Sequence, residues 1–458
     1  MLLESLFWVY IIALLFLVVT KFRSRDFFES LPSLFWGLTI LIPFWIQKDS
    51  FAPDHINVQG FSLLGVALTL IIGDAIQGRR FAIVESSPNP GLPILSQSLF
   101  ILVGGAQVIH LGFLQEQNQI IQWIINGSLK SNFAPLFDDT YLFLNIGLLV
   151  ASPLALSVML KAKRINLAIC FYLVTIFYSL NLSTERAVLN ALLGLFLFGL
   201  ELTHYFSRKV WLLFGVIIIS PILVYYSLLS VKGLGALNAQ VSPQAVERFQ
   251  ERDLYKKNGI QELSLGDRYR ILRMTEDYKK VSRMAQILNV AFYETFLLPA
   301  ESSQRWYQYF PAINGQKAEY SSVRESLGLR MELQGPHNQV GIWAYARRFP
   351  SQYNELTYSR ASIDAEAQAH GGTIELVFTL LGLLFLRLAI KFFMVRSPWG
   401  ESLNCCCLTV FALALPHASI LALLFHYGIM FFIVVMMLHY SYCKKFMQED
   451  YIPSHRHF

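Results

Sequence analysis

The sequence predicts an all-α, polytopic membrane protein of about eleven transmembrane helices with one large, partly helical loop on the outer side. Of the 458 residues, 54% are hydrophobic and only 15% are charged, whereas soluble domains carry about 25% charged residues. Uninterrupted apolar runs recur at the length that a helix needs to cross about 30 Å of hydrocarbon. Much of the remaining polarity lies in one stretch, residues 230–370.

The apolar runs divide the chain into three parts. Residues 1–229 hold spans 1–8, residues 230–370 form the large loop, and residues 371–458 hold spans 9–11 and a tail. The first run lacks a basic segment before it and a small-residue cleavage site, so we expect a span and not a cleaved signal. The expected spans cover residues 5–20, 31–46, 61–75, 94–114, 141–160, 165–181, 187–203, 209–229, 371–394, 402–416 and 418–440.

Basic residues predict the orientation of these spans. Each turn that leads from an odd-numbered span to the next contains Lys or Arg, and so does the segment after span 11. The positive-inside rule places such turns in the cytoplasm, so the N-terminus and the large loop face outward and the C-terminus is cytoplasmic. The net charge of +6 is therefore mostly a topology signal and does not indicate nucleic acid binding. The basic residues are Lys21, Arg23, Arg25, Arg79, Arg80, Lys161, Lys163, Arg164, Arg208, Lys209, Lys391, Arg396, Lys444 and Lys445.

The large loop has internal order. Residues 242–256 predict a charged helix, and residues 262–293 mix apolar and basic side chains as amphipathic helices at a membrane surface do. We expect the aromatic stretch that follows, residues 306–315, to be irregular. An alanine-rich run then closes the loop and leads into span 9.

That closing run is chemically suggestive. If it is helical, Ser362, Glu366 and His370 lie four residues apart and share one face. A carboxylate beside a histidine fixes the tautomer of the ring and raises its basicity, which is the arrangement of a general base. The alternative is an exposed pair that does nothing further. Glu375 would lie off that face of a continuous helix.

Arginine outnumbers lysine in the loop. Its planar guanidinium forms paired hydrogen bonds with phosphate oxygens, so two or three arginines are suited to hold a diphosphate or to stabilise it as a leaving group. The alternative is that these residues anchor surface helices to lipid headgroups. The candidates are Arg268, Arg270, Arg347, Arg348 and Arg360.

One more charged group lies in the outward turn between spans 6 and 7. Ser183, Thr184, Glu185 and Arg186 form this turn and begin span 7. A charge at the edge of the bilayer costs up to about 3 kcal/mol on insertion scales. Arg186 therefore either extends to the headgroups or points into a polar cavity beneath the loop.

These features resemble the oligosaccharide repeat-unit polymerases (O-antigen polymerases) and the related O-antigen ligases. Many spans, short loops and one large outward loop before the last spans are typical of both. The Ser183–Arg186 turn resembles their Arg-bearing turn, and the segment from His370 to Gly382 resembles their His-Asn…Leu…Gly-Leu segment. Gly371 stands where Asn is common, and a second His-Asn pair, His337–Asn338, lies within the loop. The position at the start of span 9 favours His370.

The resemblance implies a glycosyltransferase in the bacterial inner (cytoplasmic) membrane. Its substrates would be undecaprenyl-diphosphate-linked oligosaccharides, without a metal or other cofactor, and a protein that regulates chain length would be a partner. Arg186 and the loop arginines would hold the diphosphate, and His370 with Glu366 would lie near the acceptor hydroxyl. The residues that would contact sugars are Trp306, Tyr307, His337, Asn338 and Trp343.

Two other functions remain open at this point. An O-antigen ligase, which transfers the glycan to a different acceptor, has nearly identical chemistry, and the sequence does not separate the two. A polysaccharide or lipid transporter would be expected to carry charges within its spans and to have broken helices, so the concentration of polar residues in one loop argues against it.

Overall fold

A computed structural model gives the architecture of the chain. It describes residues 2–23, 27–47, 53–76, 91–113, 139–182, 184–203, 293–310, 318, 335–346, 359–395 and 397–449. Every regular element in these residues is helical, which confirms the predicted all-α class for this part of the chain. In chain order the helices are α1 (Leu2–Arg23), α2 (Leu31–Trp36), α3 (Ile42–Gln47), α4 (Pro53–Ala75), α5 (Leu92–Leu99), α6 (Gly105–Phe113), α7 (Asp139–Lys161), α8 (Ile165–Leu182), α9 (Thr184–Thr203), α10 (Leu298–Tyr309), α11 (Pro336–Gly341), α12 (Ile363–Gly371), α13 (Thr373–Phe392), α14 (Pro398–Ala414), α15 (Ile420–Leu424) and α16 (Ile429–Glu449).

Six helical segments of the described residues are long and apolar enough to cross a membrane. Large apolar side chains such as Phe16 and Phe385 are exposed on their outward faces, as contact with lipid requires. Helices α7, α8 and α9 contain shorter apolar stretches where spans 5–7 are expected. The expected span 209–229 lies outside the described residues, so the total of eleven stays a prediction. The six segments are Leu2–Lys21, Phe27–Ile46, Ile56–Ala75, Leu92–Leu111, Thr373–Phe392 and Trp399–His417.

The last expected span differs from the structure. Residues 418–440 were expected to form one helix, but the short helix α15 ends at Leu424 and α16 begins at Ile429. Gly428 between them has a φ of 73°, a left-handed conformation that glycine adopts without steric cost. Two further helices are interrupted by π-helical turns, Gly37–Leu41 between α2 and α3 and Phe100–Gly104 between α5 and α6.

Helices α4 and α13 pack closely side by side. A Cβ atom at Gly73 would lie 2.7 Å from Cγ of Arg387, so the absence of a side chain lets α13 approach. At this end of the pair Asp74, Arg387 and Lys391 are buried. Such charges inside a helix bundle are stable only when they are paired.

Parts of the predicted loop pack into the bundle. Helix α10 contacts both α4 and α12, and its polar residues Glu301, Gln304 and Gln308 are buried. The expectation of an irregular stretch was therefore wrong up to Tyr309. Pro299 lies in the first turn of α10, where its missing N–H costs no hydrogen bond. The predicted helices 242–256 and 262–293 lie outside the described residues, except for Tyr293 at the end of the second.

Candidate functional site

The alanine-rich run forms helix α12, as its composition predicts. Ser362 precedes the helix with extended backbone angles, and Glu366 and His370 follow at one-turn spacing. The His370 Nε2 atom lies 3.8 Å from Oε1 of Glu366. Both side chains are buried, so the pair is not the exposed alternative.

His370 is held from its other side by the backbone. Its Nδ1 atom lies 3.1 Å from the carbonyl oxygen of Ala318, and the amide of Ala318 donates to the carbonyl of Ala369 over 2.8 Å. Burial lowers the pKa of the imidazole, but the nearby Glu366 carboxylate and the carbonyl of Ala318 outweigh this effect, so the pKa lies above its usual value.

The charge of Glu375 also affects the pKa of His370, although Glu375 would lie off the face of His370 on a continuous helix. Its negative charge contributes to the raised pKa of His370. The chain is not continuous there, because Gly372 has a φ of 67° and separates α12 from α13. This left-handed residue, which glycine tolerates best, lies between the end of α12 at Gly371 and the start of α13 at Thr373.

The second candidate histidine, His337, lies near Glu366 and His370, and these three residues form one cluster at α12. His337 Nδ1 is 3.0 Å from the carbonyl of Ser359, and its ring meets the Trp306 indole edge-on at 4.8 Å between centroids. Burial lowers the pKa of His337, and the charges of Glu366 and His370 are close enough to affect it. The structure thus brings His337 and His370 into one site.

Asp364 on α12 is a buried carboxylate that sequence reasoning missed. The hydroxyl of Tyr307 donates to Oδ2 of Asp364 over 3.0 Å. Burial raises the pKa of the Asp364 carboxyl to about 6, although hydrogen bonds from Ser362 and Tyr307 oppose this shift. Burial and the nearby Asp364 charge raise the pKa of Tyr307 well above 10. The only sequence signal was an acidic residue in the first turn of a predicted helix.

Helix α12 is fixed to α4 through a side-chain contact. The amide of Gln368 donates to the hydroxyl of Ser62 over 3.1 Å. Helix α12 therefore lies against α4, one of the helices that are long and apolar enough to cross a membrane. Ser62 is about 18 Å along α4 from Asp74 by the rise of about 1.5 Å per residue.

No family model, curated protein or solved structure matches this chain.

The aromatic residues predicted to contact sugars are buried in the structure. Trp306 donates from its indole nitrogen to the carbonyl of Ser359 over 3.3 Å, and Trp343 packs edge-on against Tyr309. Asn338 is also buried, at the start of α11. Trp306 and Tyr307 pack with Ala365 and Ala369 of α12, whereas Trp343 packs in a separate group with Ala344.

Only part of the predicted arginine set falls in the described residues. Arg360 is half-buried just before α12, and its charge affects His417, which ends the short 3-10 helix Leu415–His417 after α14. The other loop arginines of the predicted set, Arg268, Arg270, Arg347 and Arg348, lie outside the described residues.

Arg186 lies in the first turn of α9, where its backbone alone is described. It stands four residues before Asn190 and seven before Leu193, so these positions share one face, and the latter two are buried. The amide of Asn190 donates to the hydroxyl of Ser179 on α8 over 2.6 Å. Position 186 therefore continues the inward face of α9.

The interior beneath this position is polar, which sequence reasoning also missed. Gln107 on α6 donates to the hydroxyl of Ser152 over 2.8 Å and to that of Thr175 over 3.1 Å. These single polar residues within apolar runs gave no periodic signal. Hydrogen bonds of this kind hold membrane helices together.

Proposed function

We propose that this chain is a glycosyltransferase that polymerises oligosaccharide repeat units carried on undecaprenyl diphosphate. The proposal rests on the buried Glu366–His370 pair, which shares a cluster with His337. Titratable groups that are gathered in one buried place and have shifted pKa values are typical of catalytic sites. Burial of such groups costs free energy, which a purely structural role does not require.

The residues of α12 suit proton transfer from a hydroxyl group. In this reaction a sugar hydroxyl of the acceptor attacks the anomeric carbon of the donor, and the bond from that carbon to the diphosphate breaks with its electron pair. With Nδ1 of His370 donating to Ala318, Nε2 of the neutral ring is the nitrogen that takes the hydroxyl proton. Glu366 then stabilises the imidazolium.

Positive charge would stabilise the diphosphate as it leaves. Arg186 and Arg360 are the candidates among the described positions, with Arg268, Arg270, Arg347 and Arg348 as further candidates. A guanidinium offers paired donors to phosphate oxygens. This assignment rests on residue type and on the inward face of α9.

The setting of this reaction would be the periplasmic face of a bacterial inner membrane. The apolar helices support residence in a bilayer, and the basic turns support an outward N-terminus and a cytoplasmic C-terminus. The partners would be lipid-linked oligosaccharides and a protein that regulates chain length. A ligase that transfers the glycan to another acceptor would use the same residues.

A transporter is the second candidate, and one observation favours it. The buried charges Asp74, Arg387 and Lys391 lie within spans, and two spans are interrupted by π-helical turns. Both features are expected of transporters. A transporter would move the lipid-linked glycan without forming a new glycosidic bond.

Reconstitution distinguishes these functions. Purified protein in liposomes receives lipid-linked repeat units, and the glycans are then separated by size. A ladder of multiples of the repeat unit supports the polymerase, while transfer only to an added second acceptor supports the ligase. Movement of the substrate across the bilayer without a new bond supports the transporter. The His370→Ala variant serves as the control that inserts normally but should make no ladder.

A further inference from the structure

Three helices meet at the junction of α4, α10 and α12. Tyr307 on α10 contacts Asp364 on α12, and Ser62 on α4 contacts Gln368 on α12. Gln59 lies three residues before Ser62, and thus on the same face of α4. Helix α10 packs against both α4 and α12, so these faces adjoin one another.

Several polar atoms at this junction have no hydrogen-bond partner among the described residues. They are the amide nitrogen and oxygen of Gln59, the hydroxyl of Ser303, the amide nitrogen of Gln304 and Oδ1 of Asp364. All four side chains are at most 2% exposed. Ser303 and Gln304 lie one turn before Tyr307, on the side of α10 that carries the contact with α12.

Such atoms are costly in a buried position. Each buried donor or acceptor without a partner costs about 1–3 kcal/mol, and the large majority of buried polar side-chain atoms in proteins are paired. Among the described residues, five atoms of this kind meet at one junction, and a molecule bound there would supply partners to them.

We propose that this junction binds a neutral, polyhydroxylated ligand, the acceptor sugar of the glycosyl transfer. The junction mixes amide and hydroxyl donors with amide and carboxylate acceptors. Sugar hydroxyls both donate and accept, so they match such a mixture, whereas a phosphate would leave the Gln59 oxygen and Oδ1 of Asp364 without donors. This inference rests on the proposed function, because the acceptor sugar is a substrate of that reaction.

Near-isosteric apolar substitutions test the junction. Gln59→Met and Ser303→Ala remove polar atoms that lack partners, so each variant should unfold at a temperature about 1–3 °C higher than the wild type. Ser157→Ala is the matched control, since its hydroxyl on α7 is also buried without a described partner. It should raise the unfolding temperature in the same way.

The probe is the repeat-unit oligosaccharide freed from its lipid diphosphate. It should raise the unfolding temperature of the detergent-solubilised wild type and of Ser157→Ala, but not that of Gln59→Met or Ser303→Ala. The two junction variants should also form polymer at least tenfold more slowly.

If the two junction variants keep both the oligosaccharide response and the normal rate, the junction is not the acceptor site, while the glycosyltransferase proposal still stands. If the wild type responds to the oligosaccharide, the junction variants do not, and no new glycosidic bond forms, the proposed function is wrong and the junction remains a sugar-binding site without the role of an acceptor site.

Discussion

Arg387 on α13 donates from Nε to Oδ1 of Asp74 on α4 over 2.7 Å, and both side chains are almost wholly buried. The second oxygen of Asp74 accepts from the hydroxyl of Ser33 over 2.5 Å. Arg387 also donates from Nη2 to the carbonyl of Glu29 over 2.9 Å, and Lys391 donates to the carbonyl of Asp74 over 2.7 Å. This network joins α4 to α13, which begins directly after the α12 cluster.

The first prediction concerns this ion pair. Arg387→Ala leaves the Asp74 charge buried without its main partner, so it should destabilise the folded protein by about 3–5 kcal/mol. The double variant Asp74→Asn with Arg387→Met removes both charges and should recover most of this loss. Thermal unfolding in detergent measures the stability of both variants. Equal destabilisation of the single and the double variant would show that the unpaired Asp74 charge does not cause the loss.

The second prediction uses the raised pKa of Asp364. Its folded pKa of about 6 exceeds the usual value of about 3.9, so the folded state holds the proton more tightly and loses stability as the pH rises from about 4 to 6. The upper limit of this loss is roughly 3 kcal/mol. Asp364→Asn stays neutral, so its stability relative to the wild type should be greater at pH 7.5 than at pH 4.5. A difference between the two proteins that is constant with pH would contradict the raised pKa.

The third prediction concerns the pH dependence of catalysis. A general base must be neutral, and the pKa of His370 is raised above its usual value of about 6.5. The acidic limb of the rate profile should therefore lie above pH 6.5. Glu366→Gln removes a charge that stabilises the imidazolium and should move this limb to lower pH. Polymer formation measured from pH 5.5 to 8.5 tests this, with Glu401→Gln, on the exposed side of α14, as the control. A limb that stays in place would exclude Glu366 from this role.

The sequence predicted the local parts of the site but not its long-range contacts. The Glu366–His370 pair follows from one-turn spacing within a single helix, so it could be inferred without tertiary structure. The contact of Tyr307 with Asp364 joins residues 57 positions apart, and that of Asp74 with Arg387 joins residues 313 positions apart. Periodicity does not report such pairs.

Backbone conformation explains another limit of the sequence reasoning. Glu375 was placed away from His370 because a continuous helix was assumed, and the positive φ of Gly372 ends that continuity. A glycine permits this conformation but does not require it. Most of the apolar spans, by contrast, could be predicted because hydrophobic length is a property of the sequence itself.

The fourth prediction ranks the two histidines. His370→Ala should lower the rate of polymer formation by about 10²–10⁴, as expected for the loss of a general base. Glu366→Ala should cost less, because the imidazole remains. His337→Ala should have a mild effect, because it is His370 that lies beside Glu366 and directly before α13. If His337 is essential and His370 is dispensable, the two histidines exchange their proposed roles. If both are dispensable, the reaction relies on arginine-stabilised departure of the diphosphate without a histidine base.

The last prediction concerns Arg186 at the start of α9. Position 186 lies four residues before Asn190 and so on the same face of α9, and Asn190 is buried and bonded to Ser179. Arg186→Ala should abolish polymer formation while the protein still inserts and accumulates in the membrane. Arg186→Lys should restore only part of the activity, because an ammonium group lacks the paired donors of a guanidinium.

Arg164→Ala is the control, since Arg164 is exposed in the turn at the opposite end of α8 and should tolerate the change. Glycan ladders on gels, compared at equal protein level, give the measurement. A normal ladder from Arg186→Ala would reduce this residue to an anchor at the membrane surface.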